Sequence, residues 1–387
     1  MRELSRICNG LVGQPMFNLL AKVDAMEMAG RKVLHFEIGD SEFEAHPHIV
    51  EATKKALDNY KTHYVNSMGI LELREAICDH TEQSLGFRPD VNQILIMPAN
   101  GIIDFVVRCV ANPGEEFLCP DPGFSTYIAV ASYTGVKKVG VLIREENAFR
   151  MEAREVAKRI TDKTRLIIIN SPSNPTGAVM EKEEIDGIAA IAKEKDVYLL
   201  SDEIYSRNIY GKIHYSPAVT DKCRERTIIL NGFSKGYAMP GWRLGYAIGP
   251  EVVIRKMGLL FETTYSCAPP FIQYAGIAAL KGDQQVVEER IHQYKICRDL
   301  IVKGLNEIPG IYCPVPDGAT YVFPSIKETG MTSVEFADFA LEKAGVALLP
   351  GTCFGDQCEG YVRLAYARQL KTIEEACEKM KRIFAGR

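Results

Sequence analysis

Between residues 90 and 250, seven short β-rich runs are separated by stretches with helical apolar spacing, and this alternation constrains the chain more than any other feature. The runs are ILIM (94–97), EFLC (116–119), VKKVGVLI (136–143), RLIIIN (165–170), VYLLSD (197–202), TIILNG (227–232) and RLGYAIG (243–249). Between them lie segments such as IIDFVVRCVA (102–111) and EKEEIDGIAAIAKEKD (181–196), whose apolar residues recur at helical spacing. A helix between successive strands is what a parallel crossover requires, so an α/β unit is expected: a mostly parallel sheet covered by helices. After Pro250 the pattern changes to a long helix (283–308), a hairpin (311–323), a helix (333–344), strands at 346–351 and 361–367, and a final helix (370–384). That second pattern is α+β, and 387 residues are enough for two cores.

The charge balance directs the search for function. A formal net charge of -4 offers no basic surplus for nucleic acid or anionic lipid, so small-molecule chemistry is expected, with neither nucleic acid nor membrane as partner. The longest apolar runs are strand-sized and no signal-peptide core precedes them, which gives a cytoplasmic expectation. Eleven cysteines contain no CxxC pair, and Cys353 and Cys358 have no partner cluster, so reduced thiols and no metal site are expected.

In open α/β sheets ligands sit beyond the carboxyl ends of the strands, so the polar residues that end strands are the ones to watch. Asp202 closes an apolar run, where an ionised carboxylate is costly unless a cation or several donors meet it. An isolated aspartate there also serves as a helix cap or turn residue. Lys235 follows a β-rich run among small and aromatic residues, and a lysine so placed becomes a nucleophile when burial or a neighbouring cation removes its proton. On position alone it also reads as a surface lysine. Arg363 sits inside the apolar strand YVRLAYA and calls for a carboxylate, either from a substrate or from a neighbouring side chain. The turn Ala99-Asn100-Gly101 precedes a helix whose free amides suit an anion, and Phe124 can stack on a flat ring or fill a core.

Taken in order, ten segments resemble the fold type I pyridoxal-phosphate enzymes, specifically the class I/II aminotransferases related to aspartate aminotransferase: GDSEF (39–43), YVNSMGILELREAI (64–77), PANGIIDF (98–105), PDPGFSTY (120–127), SPSNPTGAV (171–179), SDEIY (201–205), SKGYAMPGWRLGY (234–246), DGATYVF (317–323), AGVALLPG (344–351) and YVRLAYA (361–367). The resemblance implies pyridoxal 5′-phosphate as cofactor, with Lys235 as Schiff-base lysine and general acid/base and Asp202 on the pyridine nitrogen. It implies Asn174 and Tyr205 on the ring oxygen O3′, Phe124 stacked on the ring, and Ser234, Arg243, Ala99, Asn100 and Gly101 around the phosphate. Arg363, helped by Gly39 and Asn174, would hold the substrate α-carboxylate. Tyr64 would reach the phosphate of a neighbouring subunit, which implies a homodimer with shared sites. A cofactor domain at 45–280 and a small domain built from 1–44 plus 281–387 follow from the same likeness.

The implied activity is ping-pong transfer of an amino group from an amino acid to a 2-oxo acid. A C–S β-lyase or a cyclopropane-forming synthase would share these motifs, and a non-catalytic ligand sensor is a more distant alternative. A Rossmann dehydrogenase lacks its GxGxxG here. Two departures bear on specificity: Gly123-Phe124 stands where some aspartate-specific relatives read Tyr-Trp, and Arg108-Cys109 lies near the helical position where some carry a lysine for the distal carboxylate, with Arg108 expected to face solvent rather than to serve a dicarboxylate substrate.

Overall fold

The computed structural model describes residues 2–11 and 13–385. Twelve strands form three sheets among these residues: β1 (Leu34–His35), β2 (Ile94–Met97), β3 (Glu116–Asp121), β4 (Lys137–Leu142), β5 (Thr164–Asn170), β6 (Tyr198–Asp202), β7 (Thr227–Gly232), β8 (Gly245–Ile248), β9 (Tyr321–Val322), β10 (Val346–Ala347), β11 (Leu349–Pro350) and β12 (Val362–Ala365). The central sheet has seven strands in the order β2-β8-β7-β6-β5-β3-β4. Within it β8 runs against its neighbours, pairing antiparallel with β2 and β7, and the other pairs are parallel. All seven apolar runs are thus strands of one mostly parallel sheet, as expected. Helices cover both faces, so Ile94, Leu95, Ile96, Leu199 and Leu200 are fully buried, which explains why these strands read as continuous apolar runs instead of alternating ones.

One apolar cluster lies on the face covered by helices Leu71–Leu85, Ala99–Val110, Glu251–Tyr265 and Pro270–Lys281. The other includes Val156, Ile185, Ile188, Phe323 and Phe354. A third core joins both ends of the chain: Leu34 and Phe36 pack with Tyr294, Ile301, Phe336, Leu364, Ile373 and Phe384. Helices Gln285–Asn306 and Leu370–Phe384 supply it from one stripe each, as their apolar spacing predicts.

Two local expectations are corrected. The segment 311–323 does not fold as a hairpin: Tyr312 makes one isolated bridge with Ser325, and β9 pairs with β12. Pro314 and Pro316 remove the amides that a continuous ladder would need. The run 346–351 is two strands in different sheets, β10 parallel to β1 and β11 antiparallel to β12. A two-residue strand such as β1 carries no readable period, and helix Pro15–Met28, with only Met16 and Val23 buried, is weakly patterned too.

Candidate active site

A cavity of about 400 Å³ opens where β5, β6 and β7 end, within the size range of small-molecule sites. From β3 the chain steps outward to β4 and then returns past β3 to β5, so the crevice lies at a topological switch point. Each strand delivers its residue at or just beyond its carboxyl end: Ala99 and Asn100 after β2, Phe124 after β3, Asn170 and Asn174 from β5, Asp202 from β6, and Ser234 and Lys235 after β7. Arg243, Gly39, Tyr205, Tyr321 and Arg363 complete the wall.

Asp202 is 3% exposed, and burial pushes its carboxyl up to about 6. It accepts from the Tyr127 hydroxyl at 2.9 Å and from the Ile204 amide at 3.4 Å. Neither donor is a cation, so the carboxylate keeps an uncompensated cost that a positive group in the cavity would relieve. Asn170 fixes the strand end: its amide donates to the Asp202 carbonyl at 3.1 Å and its side-chain oxygen accepts from the Asn174 amide at 2.8 Å.

The Lys235 amine donates to the Gly39 carbonyl and lies 5.9 Å from the Tyr205 ring centre. Gly39 is held close: a Cβ there would stand 1.9 Å from the Tyr321 hydroxyl, so any side chain at this position would have to push the Tyr321 ring aside. Tyr321 and Tyr205 share a hydrogen bond of 2.6 Å between their hydroxyls. The carbonyls on either side of Gly39 are gripped by Arg368, which donates to Ile38 and to Asp40 at 3.0 Å each.

Arg363 is completely buried, and no carboxylate pairs with it among the described residues. One guanidinium nitrogen reaches the Asn174 side-chain oxygen at 3.4 Å, another donates to the Glu37 carbonyl, and Nε has no partner. Tyr321 and Phe354 offer ring faces at 4.5 and 5.0 Å. Burial pulls the Arg363 pKa down, the direction expected for a cation that lacks an anion.

One of the expected residues is placed differently, and two others lie outside this chain's cavity, where a contact to a partner subunit and a solvent-facing arginine would lie. Gly101 does not line the cavity, and its amide donates to the Pro98 carbonyl at 3.0 Å. Tyr64 is 87% exposed and away from its own chain's cavity. Arg108 also lies outside, paired with Asp104 at 2.8 Å and stacked over Tyr133. Conversely, Tyr127, Asn170, Tyr321 and Arg368 belong to the site and were not singled out as individual residues in the sequence. Tyr127 and Tyr321 do stand in the PDPGFSTY and DGATYVF segments, but nothing in their spacing says that one meets Asp202 and the other Arg363.

Behind Arg363, His35 donates to the fully buried Glu37 carboxylate at 2.8 Å and also meets Glu27 at 3.3 Å. The hydrogen bond to Glu37 pushes His35 up to about 9. A raised histidine stabilises the fold fully below its unfolded value of about 6.5, and that contribution fades as pH rises through about 9. His35→Gln is therefore expected to cost on the order of 1 kcal/mol at pH 6.5 and almost nothing at pH 10. Thermal melts of both proteins across that range test it; a gap that stays constant with pH would refute the charged pair.

Among the described residues no three His, Cys, Asp or Glu side chains gather as a metal ion would need, and no helix is long and apolar enough to cross a membrane. The family model described as aminotransferase class I and II matches residues 31–380. The chain is 41% identical over 361 residues to an aspartate aminotransferase of Pyrococcus abyssi, covering 92% of each. It is 42% identical over 356 residues to aromatic-amino-acid aminotransferase 2 of Thermococcus litoralis, covering 91% of each. The crystal structure of an aromatic aminotransferase from Pyrococcus horikoshii superimposes with a TM-score of 0.89 at 40% identity, over 94% of this chain and 99% of that one.

Proposed function

The chain belongs to the class I and II aminotransferases, and from that membership we propose that its cavity binds pyridoxal 5′-phosphate against Asp202 and Lys235 and an amino acid against Arg363. The observation that carries this reading is the fully buried Arg363 guanidinium, unpaired by any carboxylate among the described residues, on the same cavity as the Lys235 amine. It is an anion site without a protein anion, a few side chains from a nucleophile.

The residues fit the cofactor at both ends. Asp202, buried and unmatched by a cation, would hold the pyridine nitrogen in its protonated form; Phe124 borders the same space and would cover the ring. Asn174 and Tyr205 would contact the ring oxygen, and Ser234, Arg243 and the helix start at Ala99 and Asn100 would hold the phosphate. When bound, the cofactor supplies an aldehyde for covalent attachment to amines and a ring that withdraws electrons. Lys235 would be the amine that holds the aldehyde, and when free it would take the substrate α-proton and give it back. Arg363 and Asn174 fix the substrate carboxylate so that this proton faces Lys235. A second substrate, a 2-oxo acid, reverses the steps in ping-pong order.

The same reading pairs two chains so that the exposed Tyr64 reaches the partner's phosphate. It also divides the chain into a cofactor domain at 45–280 and a small domain made of 1–44 and 281–387. The aminotransferase names of the relatives favour transfer over the C–S lyase and cyclopropane-forming alternatives.

The test is spectroscopic. Protein loaded with pyridoxal phosphate should lose its visible absorption with an amino acid and regain it with a 2-oxo acid, with amino groups conserved. Release of ammonia and pyruvate instead would favour the lyase. Arg363→Lys keeps the charge and loses the planar fork, so KM for the amino acid should rise by roughly tenfold to a hundredfold while the cofactor spectrum stays unchanged. An unchanged KM in steady-state kinetics would remove Arg363 from substrate binding.

A further inference from the structure

Four successive carbonyls at the cavity wall, those of Glu37, Ile38, Gly39 and Asp40, each accept from a lysine or arginine side chain. The donors alternate. Glu37 and Gly39 are held by Arg363 and Lys235, which line the cavity. Ile38 and Asp40 are both held by Arg368, at 3.0 Å each, and Arg368 does not line it. Arg368 is 4% exposed; burial pulls its pKa down, and the carboxylates of Glu42, Glu37 and Asp40 oppose that pull. The same edge continues on either side: the Ala365 amide donates to the Phe36 carbonyl at 2.8 Å, the Glu42 amide to the Ala367 carbonyl at 3.0 Å, and the Gln369 amide to the Glu42 carboxylate at 2.8 Å. Residues 36–42 are thus laced along one edge to residues 365–369, with the Arg368 side chain as the link in the middle.

The two edges fare differently when the cavity fills. On the reading above, on which this inference rests, the Lys235 nitrogen is committed to the aldehyde. A nitrogen bonded to that carbon has given up protons that it donates as a free amine, so its hold on the Gly39 carbonyl weakens. Arg363 divides its donors between the Glu37 carbonyl and the substrate carboxylate. Arg368 keeps both of its bonds. We infer that Arg368 is a positioning residue of the loaded enzyme: by straddling Gly39 it keeps that wall in place once Lys235 lets go, and so sets how tightly the amino acid is held. A lysine in its stead presents one nitrogen without the planar fork, and cannot span the carbonyls on either side of Gly39 in the same way.

Amide hydrogen exchange over residues 36–42 tests it, with the Phe36 and Glu42 amides, bonded to the Ala347 and Ala367 carbonyls, as reporters. Arg368→Lys should raise exchange by no more than ~3-fold in the cofactor-free protein, where Lys235 still holds Gly39, and by ~10-fold or more in the loaded protein. Lys235→Ala stands in for loading without any cofactor: in the empty protein the double variant should exceed the product of the two single effects by ~3-fold or more. On the loaded enzyme, Arg368→Lys should raise KM for the amino acid ~10-fold and leave kcat within about threefold. Equal exchange increases in the empty and loaded protein, single effects that simply multiply, or an unchanged KM would mean a merely structural role and overturn the inference. Should Arg368→Lys not fold, Lys235→Ala alone decides in the empty protein: exchange within ~3-fold of wild type supports the hold by Arg368, and exchange near that of an unprotected chain overturns it. If no pyridoxal phosphate binds, the aminotransfer reading fails, and the cofactor-free comparison still decides the role of Arg368.

Discussion

Lys235→Ala is expected to lower turnover of every amino donor by ~10⁴-fold or more, because on the proposed reading one substitution removes both the nucleophile and the proton carrier. Among the described residues Lys235 is the only lysine that lines the cavity, so no neighbouring amine takes over. The loss should be chemical instead of structural. Lys235 is partly buried and its side chain makes one hydrogen bond, to the Gly39 carbonyl, so its removal leaves no buried charge unpaired. Borohydride treatment of the loaded wild type should fix the cofactor to a peptide containing Lys235, and the variant should yield no labelled peptide there. Turnover of the variant within about tenfold of wild type, or label on another lysine, would sink the assignment.

The second large effect is expected for Asp202→Asn and has opposite signs for activity and stability. On the proposed reading, an amide in place of the carboxylate would leave the bound ring without its counter-charge, and loss of that charge should lower kcat by ~10²–10³-fold. For the cofactor-free protein the same change is stabilising. A carboxyl pushed up to about 6 by burial is harder to ionise folded than unfolded, where its pKa is near 3.8. The penalty is absent below the unfolded value, grows as pH rises from there through about 6, and is complete above that. Without cofactor, Asp202→Asn should therefore gain on the order of 1–3 kcal/mol at pH 8 and nothing at pH 4, read as melting temperatures at both. An equal gap at the two pH values would mean that charge burial is not the cause.

The central sheet was legible because each strand is buried on both faces, and a short apolar run bounded by turn residues is the direct imprint of that burial. Two residues at strand ends drew notice for a related reason: Asp202 and Lys235 each interrupt an apolar or glycine-rich context at the end where an α/β sheet places its ligands, whereas Asn174, in a Ser- and Pro-rich turn, was reached through the order of the motifs. The segment 311–323 misled because a turn between two apolar stretches suggests a hairpin locally, whereas β9 finds its partner in β12, some forty residues later. Pairing between remote strands has no local signature.

The site divides along the same line. Sequence by itself determined the fold class, the family and the residues whose chemistry is unusual for their surroundings, because apolar periodicity and motif order are written along the chain. It could not say that Tyr127 supports Asp202, that Arg368 grips the Gly39 loop, or that Met16 and Phe17 wall the cavity. Those are contacts between segments far apart in the chain, decided when helices and strands pack around the ends of the central strands. Only the tertiary structure reveals that the buried guanidinium of Arg363 meets no carboxylate among the described residues, since a missing partner is a fact about the space around a residue and leaves no trace in its neighbours along the chain.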